Sequence, residues 1–369
     1  MTIGLVKEIK VHEYRVGLTP DDVESYVNTG NIVYVEKGAG EGAGFDDALY
    51  IEAGGSIVED KQKLFDDSEM IIKVKEPLPE EYDFFHEGQI LYTYLHIAAD
   101  KPQALALLAK KVKAIAYETI TSPEGGLPCL TPMSEIAGRL AAQEGAKYLE
   151  KPFGGRGVLL GGVPGVQRGN VVIIGGGIVG LNACKMVVGL GANVTVLDIS
   201  ASRLAYYDDL FSSKVTTLFS NRANILKSIK EADLVIGAVL IPGAAAPKLI
   251  SKDDLKLMKK ASVIVDVAID QGGCFETSHA TYHDDPTFVV NDVLHYCVAN
   301  MPGAVSLTST LALTSTTLRH GLNIANKGLE KALADDIHLL NGLNTYDGKL
   351  TNEPVAKSLG IPYEPVTFS

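Results

Sequence analysis

Short apolar runs alternate with amphipathic stretches of helix length along most of the chain. Residues 3–8, 32–35, 70–74, 90–95 and 114–117 read as strands, each too short for a helix and rich in Val, Ile, Leu or Tyr. Residues 20–29 and 101–112 read as helices, the first with Thr19 as its cap and Pro20 at its first position. This alternation predicts a parallel α/β sheet. Residues 134–149 follow as a long amphipathic helix, with Ser134 and Glu135 at its start, that bridges to a second domain.

The second domain opens at Asn170 with NVVIIGGGIVGLNACKMVVGLGANVTVLD. Residues 171–174 form a buried-type strand, Gly175-x-Gly177-x-x-Gly180 a tight turn, 178–190 a helix closed by Gly191, and the next strand ends at Asp198. The glycines let backbone N–H groups approach a pyrophosphate at the positive end of a helix. Asp198 is placed to take both ribose hydroxyls of an adenosine, and its charge would repel a 2′-phosphate. The unit therefore predicts a dinucleotide site that favours NAD over NADP. A second glycine pair, Gly38-x-Gly40, also follows a strand, but the EGAGFDD that comes next leaves no room for a helix, so a plain turn is expected there.

Further strands are expected at 233–238, 263–268 and 288–290, and Asn300-Met-Pro-Gly ends the nucleotide domain. Residues 308–340 then read as one or two helices with a tail too short for a domain of its own, packing back on the first sheet. The expected class is α/β: two Rossmann-like domains with doubly wound parallel sheets, linked by long helices around a cleft. The first domain would be discontinuous, 1–130 plus 307–369, and the nucleotide domain would span 131–306.

Composition narrows the options. A net charge of −12, with no cluster of Lys and Arg, argues against nucleic acid as partner. Residues 171–197 carry Lys185 as their only charge, but the glycines among them and the strand-helix-strand pattern speak against a membrane span. The start at Met1 enters a strand directly, with no secretory segment expected, and Cys129, Cys184, Cys274 and Cys297 show no CxxC spacing. A cytoplasmic protein with reduced thiols is expected. No metal site is expected: His279 and His283 form one HxxxH pair, and Asp284-Asp-Pro breaks any helix there.

Ligands of open parallel sheets bind beyond the carboxyl ends of the strands. The polar residues at those ends are Arg15, Lys75 and His96 in the first domain and Asp270 in the second. An Arg and a Lys together suit a small anion, and His96 with Asp270 suit proton transfer. Each residue has a plainer reading: Arg15 pairs with Glu13, Lys73 and Lys75 are both solvated, His96 packs in the core beside Tyr92 and Tyr94, and Asp270 caps the Gly272-Gly273 turn. Spacing leaves these alternatives open.

Taken together the segments resemble the NAD-dependent alanine dehydrogenases from end to end. They are EYRVGLTP from Glu13, KVKEP from Lys73, Leu95-His96, PMSEIAGR from Pro132, GGRGVLLGGVPG from Gly154, GAVLIPG from Gly237, DVAIDQGG from Asp266 and YCVANMP from Tyr296. The resemblance implies reversible oxidative deamination of L-alanine to pyruvate and ammonia, in a cytoplasmic homohexamer. It implies that Arg15 and Lys75 hold the substrate and that His96 and Asp270 are the acid/base pair. It also implies NAD contacts from Ser134, Ile178, Asp198, Arg203, Ser220, Val239, Leu240, Val267, Ala268, Ile269, Asp270, Val298, Ala299, Asn300 and Met301. His279 departs, standing where some members place an Arg near the cofactor. The alternative is the NAD(H)-binding part of a proton-translocating transhydrogenase, which shares the fold. His96, Asp270-Gln271 and a chain that stops at Ser369 without a membrane extension argue against it.

Overall fold

The computed structural model describes residues 1–239 and 246–368. The chain divides into two compact units, Met1–Met133 with Gly303–Ser369, and Ser134–Pro302. The first unit opens with β1 (Thr2–Leu5), β2 (Ile32–Glu36), β3 (Ser56–Val58), β4 (Met70–Ile72), β5 (Ile90–Thr93) and β6 (Lys113–Ala116). The second carries β7 (Asn170–Ile174), β8 (Asn193–Asp198), β9 (Val215–Phe219), β10 (Leu234–Gly237), β11 (Val263–Asp266), β12 (Thr287–Val290) and β13 (Val293–Tyr296). The chain then returns to the first unit with the helix Ser306–Lys327 and the strands β14 (Leu343–Tyr346) and β15 (Lys349–Leu350).

Both sheets wind the same way. The first has the order β15-β14-β6-β5-β4-β1-β2-β3 and the second β12-β13-β11-β10-β7-β8-β9. In each, the chain starts in the middle, adds two parallel strands on one side, then crosses over and builds outward on the other. The reversal falls between β1 and β4 in the first sheet and between β7 and β10 in the second, which is where open α/β sheets hold their ligands. The central strands are buried on both faces, as continuous apolar runs such as Val171–Ile174 require.

The sheets are mostly parallel, as expected, with antiparallel pairs toward one edge of each. β12 runs antiparallel to β13, and β14 pairs antiparallel with both β6 and β15. The returning segment covers the first sheet on one face, where Leu350, Val355, Ala356 and Leu359 join Leu64, Phe65, Leu91 and Leu95 in one core cluster. The helix Ser306–Lys327 belongs to the same unit, and Tyr92 donates to the carbonyl of Thr317 at 2.8 Å.

Local chemistry explains the element ends. Thr19 and Asp22 form a capping box around the helix Pro20–Asn28, each side chain accepting from the other's backbone N–H. The helix Lys101–Ala109 stops short of the expected end because Lys111 takes a left-handed conformation, φ 52°. The helix Thr131–Tyr148 begins before Ser134, so Ser134 lies within its first turn and not at its cap. The Gly38–Gly40 segment is a turn leading into a short 3-10 helix, Glu41–Ala43. All four cysteines are buried and free. Among the described residues no helix is long and apolar enough to cross a membrane.

Candidate active site

Beyond β4 and β5 of the first unit, Nζ of Lys75 stands 3.4 Å from Nε2 of His96. Neither side chain is where the plainer readings put it. His96 is exposed, stacked on the buried Tyr94 ring at 5.8 Å, and is no core histidine. The expected strand to residue 95 ends at Thr93, and His96 itself is left-handed at φ 47°. Lys75 is nearly buried, and Lys73 is wholly so. Lys73 therefore corrects the idea of two solvated lysines: it bonds Glu81 at 2.9 Å and lies 3.4 Å from Glu8. Burial opposes its charge, but Glu8 and Glu81 outweigh burial and hold the ammonium.

Arg15 does pair with Glu13. Its Nε and Nη2 each donate to that carboxylate at 2.6 Å, and Nη1 approaches Sδ of Met133 at 3.1 Å. A guanidinium this buried requires such a counter-charge. Pairing leaves it an oriented, neutralised donor group and not a bare charge.

His96 as a residue is exposed, but its contact with Lys75 is part-buried. Desolvation, and then the Lys75 ammonium, push its pKa from 6.5 down to about 3. The imidazole is thus neutral at physiological pH and suited to accept a hydrogen bond or a proton. Burial opposes the charge of Glu76, which is ion-paired with Lys10, yet Lys75 and Lys10 lower its pKa on balance.

In the second unit the turn after β7 has the geometry a dinucleotide needs. Gly175 has φ 104°, and a Cβ there would lie 2.6 Å from the carbonyl oxygen of Ala238. A Cβ on Gly180 would lie 1.9 Å from the carbonyl oxygen of Gly175, so only glycine lets helix and strand approach this closely. Gly177 caps the helix Ile178–Gly189 without any side-chain hydrogen bond, and nothing lies within 4 Å of its missing Cβ. The turn therefore offers helix N–H donors beside open space, a cradle that fits a pyrophosphate. Asp198, at the end of β8, accepts from the N–H of Gly176 at 2.6 Å and of Ser200 at 2.7 Å, while Nε of Arg203 donates to the carbonyl of Gly176 at 3.0 Å.

The remaining expected contacts also fall at carboxyl ends of strands. Ser220 follows β9, Val239 follows β10, Val267, Ala268, Ile269 and Asp270 form a 3-10 turn after β11, and Val298, Ala299, Asn300 and Met301 follow β13. Leu240 lies outside the described residues. Ser134 sits one turn before Gly138, whose Cβ would meet the carbonyl oxygen of Val179 at 2.2 Å, so its helix packs on the nucleotide helix. His279 stacks on Phe288 at 3.8 Å. Among the described residues no group of His, Cys, Asp and Glu is arranged to hold a metal.

Asp270 is exposed, and the Gly272-Gly273 turn is held by another acid. Asp266, fully buried, accepts from the N–H of Ala268 and Cys274 at 3.2 and 2.8 Å and from the Ser278 hydroxyl at 2.6 Å. Sequence reasoning passed over Asp266, and also Glu8 and Glu118. Glu8 and Glu118 bind backbone N–H groups beside Lys75 and His96 in the first unit, and Asp266 binds them beside Asp270 in the second. Glu8 and Glu118 lay at the ends of expected strands, the same signal that singled out His96.

The comparisons with known proteins agree from end to end. The family model described as alanine dehydrogenase/PNT, N-terminal domain, matches residues 4–137, and that for the C-terminal domain matches 141–353. A protein from Methanococcus maripaludis named alanine dehydrogenase is 57% identical over 366 residues, covering 99% of this chain and 98% of its own length. A solved L-alanine dehydrogenase structure, 51% identical, superposes with a TM-score of 0.95 over 98% of this chain and 99% of that one. A transhydrogenase structure from Sinorhizobium meliloti shares the fold alone, with 22% identity and a TM-score of 0.82 over 96% of this chain and 99% of that one. The chain belongs to the alanine dehydrogenase/PNT family.

Proposed function

We propose that the protein is an NAD-dependent L-alanine dehydrogenase, which converts L-alanine and water reversibly to pyruvate and ammonia. The observation that carries this reading is full-length identity above one half to a protein of that name, joined to a Lys75–His96 pair 3.4 Å apart beyond adjacent parallel strands. The transhydrogenase alternative rests on fold likeness only.

Lys75 and Arg15 hold the substrate carboxylate and carbonyl or amine through charge-assisted hydrogen bonds. The nucleotide turn at Gly175, Gly177 and Gly180 and the carboxylate of Asp198 hold NAD. When bound, NAD supplies the hydride acceptor. His96 takes a proton from the substrate ammonium, so that the free amine can push hydride away from Cα. His96 passes that proton to solvent; water then adds to the resulting iminium, and His96, assisted by Asp270, takes the proton from that water and returns it to the departing ammonia. A substrate carboxylate on Lys75 offsets the charge that depresses His96, which moves the imidazole toward the range where it is an effective base.

The test follows NADH oxidation by the purified protein with pyruvate and ammonium together. Oxidation that requires both, and that is much weaker with NADPH, is expected; oxidation independent of ammonium would overturn the reading. The family resemblance supports a cytoplasmic homohexamer, for which light scattering would give a mass near six times 39.3 kDa.

A further inference from the structure

The peptide groups that carry Lys75 and His96 are gripped by carboxylates from the neighbouring strands. β1, β4, β5 and β6 lie side by side and parallel. Lys75 and His96 follow the inner two, β4 and β5; Glu8 and Glu118 follow the outer two, β1 and β6. Oε1 of Glu8 accepts from the N–H of Val74 at 2.6 Å and of Lys75 at 3.2 Å. Oε1 of Glu118 accepts from the N–H of His96 at 2.6 Å and of Leu95 at 3.1 Å. Strands that splay at their carboxyl ends leave N–H groups without a ladder partner, and here a half-buried acid from each flank supplies one.

The grip matters most at His96. Its φ of 47° is a conformation that non-glycine residues rarely adopt without something to hold them. From an extended backbone the same side chain would leave in another direction, away from Nζ of Lys75. Two consecutive N–H groups pointing at one carboxylate are what that left-handed bend produces, and a charged acceptor binds them more strongly than a neutral one. The same peptide has a second anchor, because Gln103 Nε2 donates to the carbonyl of Leu95 at 3.0 Å, in one plane with the His96 N–H that Glu118 holds.

We infer that Glu118 is a positioning residue for the His96 imidazole: by binding the N–H groups of Leu95 and His96 it holds the left-handed bend that aims the ring at Lys75. The inference rests on the proposed acid/base role of His96 for its kinetic consequence only. Glu8 stands in the same relation to Lys75.

The test compares Glu118→Ala, Glu118→Gln, His96→Ala and the Glu118→Ala/His96→Ala double variant in the pyruvate, ammonium and NADH assay. Glu118→Ala is expected to lower kcat by about tenfold to a hundredfold with KM for NADH unchanged, and Glu118→Gln, which keeps the shape and one acceptor oxygen, to lose less. Because the residue acts through His96, adding Glu118→Ala to His96→Ala should cost no further activity. In parallel, NMR titration of ring-labelled histidine should show the His96 pKa rising in Glu118→Ala as the ring leaves Lys75. Wild-type kcat and an unmoved His96 titration in Glu118→Ala would overturn the inference, as would a double variant whose losses multiply. If Glu118→Ala does not fold, Glu118→Gln carries both readouts, and wild-type values there overturn it equally. A wild-type protein without ammonium-dependent activity would sink the proposed function and still leave the titration to judge the clamp.

Discussion

Nζ of Lys75 and Nε2 of His96 stand 3.4 Å apart, close enough for the lysine charge to act on the imidazole. The ammonium is the donor, so the imidazole has to be neutral at Nε2. Desolvation and this charge depress the His96 pKa to about 3. Partial cancellation of the Lys75 charge must then raise it. Pyruvate bound in the absence of NADH is expected to lift the His96 pKa by about one unit or more, and Lys75→Met to do so without pyruvate. Histidine NMR titration reads both, and a His96 that titrates near 6.5 in the unliganded wild type would refute the coupling.

His96→Ala removes the group proposed to move protons but touches no part of the nucleotide turn. Turnover is expected to fall by about a hundredfold or more, while NADH still binds with its wild-type affinity. Stopped-flow turnover and NADH fluorescence separate the two effects. Near-normal turnover would end the acid/base assignment.

Of the three glycines of the turn, Gly175 and Gly180 allow close packing, and Gly177 leaves open space where a ligand would lie. Gly180→Ala would drive a Cβ to within 1.9 Å of the carbonyl oxygen of Gly175, so it should destabilise the second unit by about 2 kcal/mol or more. Gly177→Ala meets nothing within 4 Å, and its stability should change by about 0.5 kcal/mol or less. Its Cβ would nonetheless occupy the space a pyrophosphate needs, so the Kd for NADH should rise about tenfold, a change of about 1.4 kcal/mol. Urea unfolding and NADH titration distinguish the pair. Equal effects of both variants on stability would show the turn to be structural throughout.

What the sequence made legible follows from how each element is stabilised. β7 and β11 are buried on both faces and show as unbroken apolar runs, and the turn between β7 and its helix is dictated by three glycines. β9, β13, β14 and the three-residue β3 were missed for physical reasons. The Val-Thr-Thr-Leu-Phe of β9 is half solvated at a sheet edge, and β14 hides Asn344 and Thr345 in the core by bonding them to neighbouring loops. At the site, charge type was legible but partnership was not. Arg15 and Glu13 are close in sequence, whereas Glu118 reaches His96 and Glu8 reaches Lys75 only because the sheet order sets β6 beside β5 and β1 beside β4.

Two buried histidines make acid stability testable in each unit separately. His295 in the second unit is fully buried, with Nδ1 3.0 Å from the carbonyl oxygen of Val293 and Nε2 2.9 Å from the Thr277 hydroxyl, and its ring stacks on Phe288 at 4.8 Å. His320 in the first unit accepts from Nε of Arg319 at 3.2 Å. Burial is the main cause that lowers both from 6.5 to about 4, with His279 adding to it at His295 and Arg319 at His320. The unfolded chain therefore takes up each proton first. The contribution to stability is complete above pH 6.5 and is lost as pH falls from 6.5 to about 4. At about pH 5 each histidine should already have cost its unit about 2 kcal/mol, from roughly 1.4 kcal/mol per pH unit. His295→Asn should flatten the pH dependence of the second unit's unfolding and leave that of the first unchanged, and His320→Gln should lessen that of the first, where the depressed His96 keeps its share, and leave that of the second unchanged. Urea unfolding at several pH values between 7 and 4.5, with a probe in each unit, measures this. A wild-type unfolding free energy that stays level across that range would show that neither histidine resists protonation in the fold.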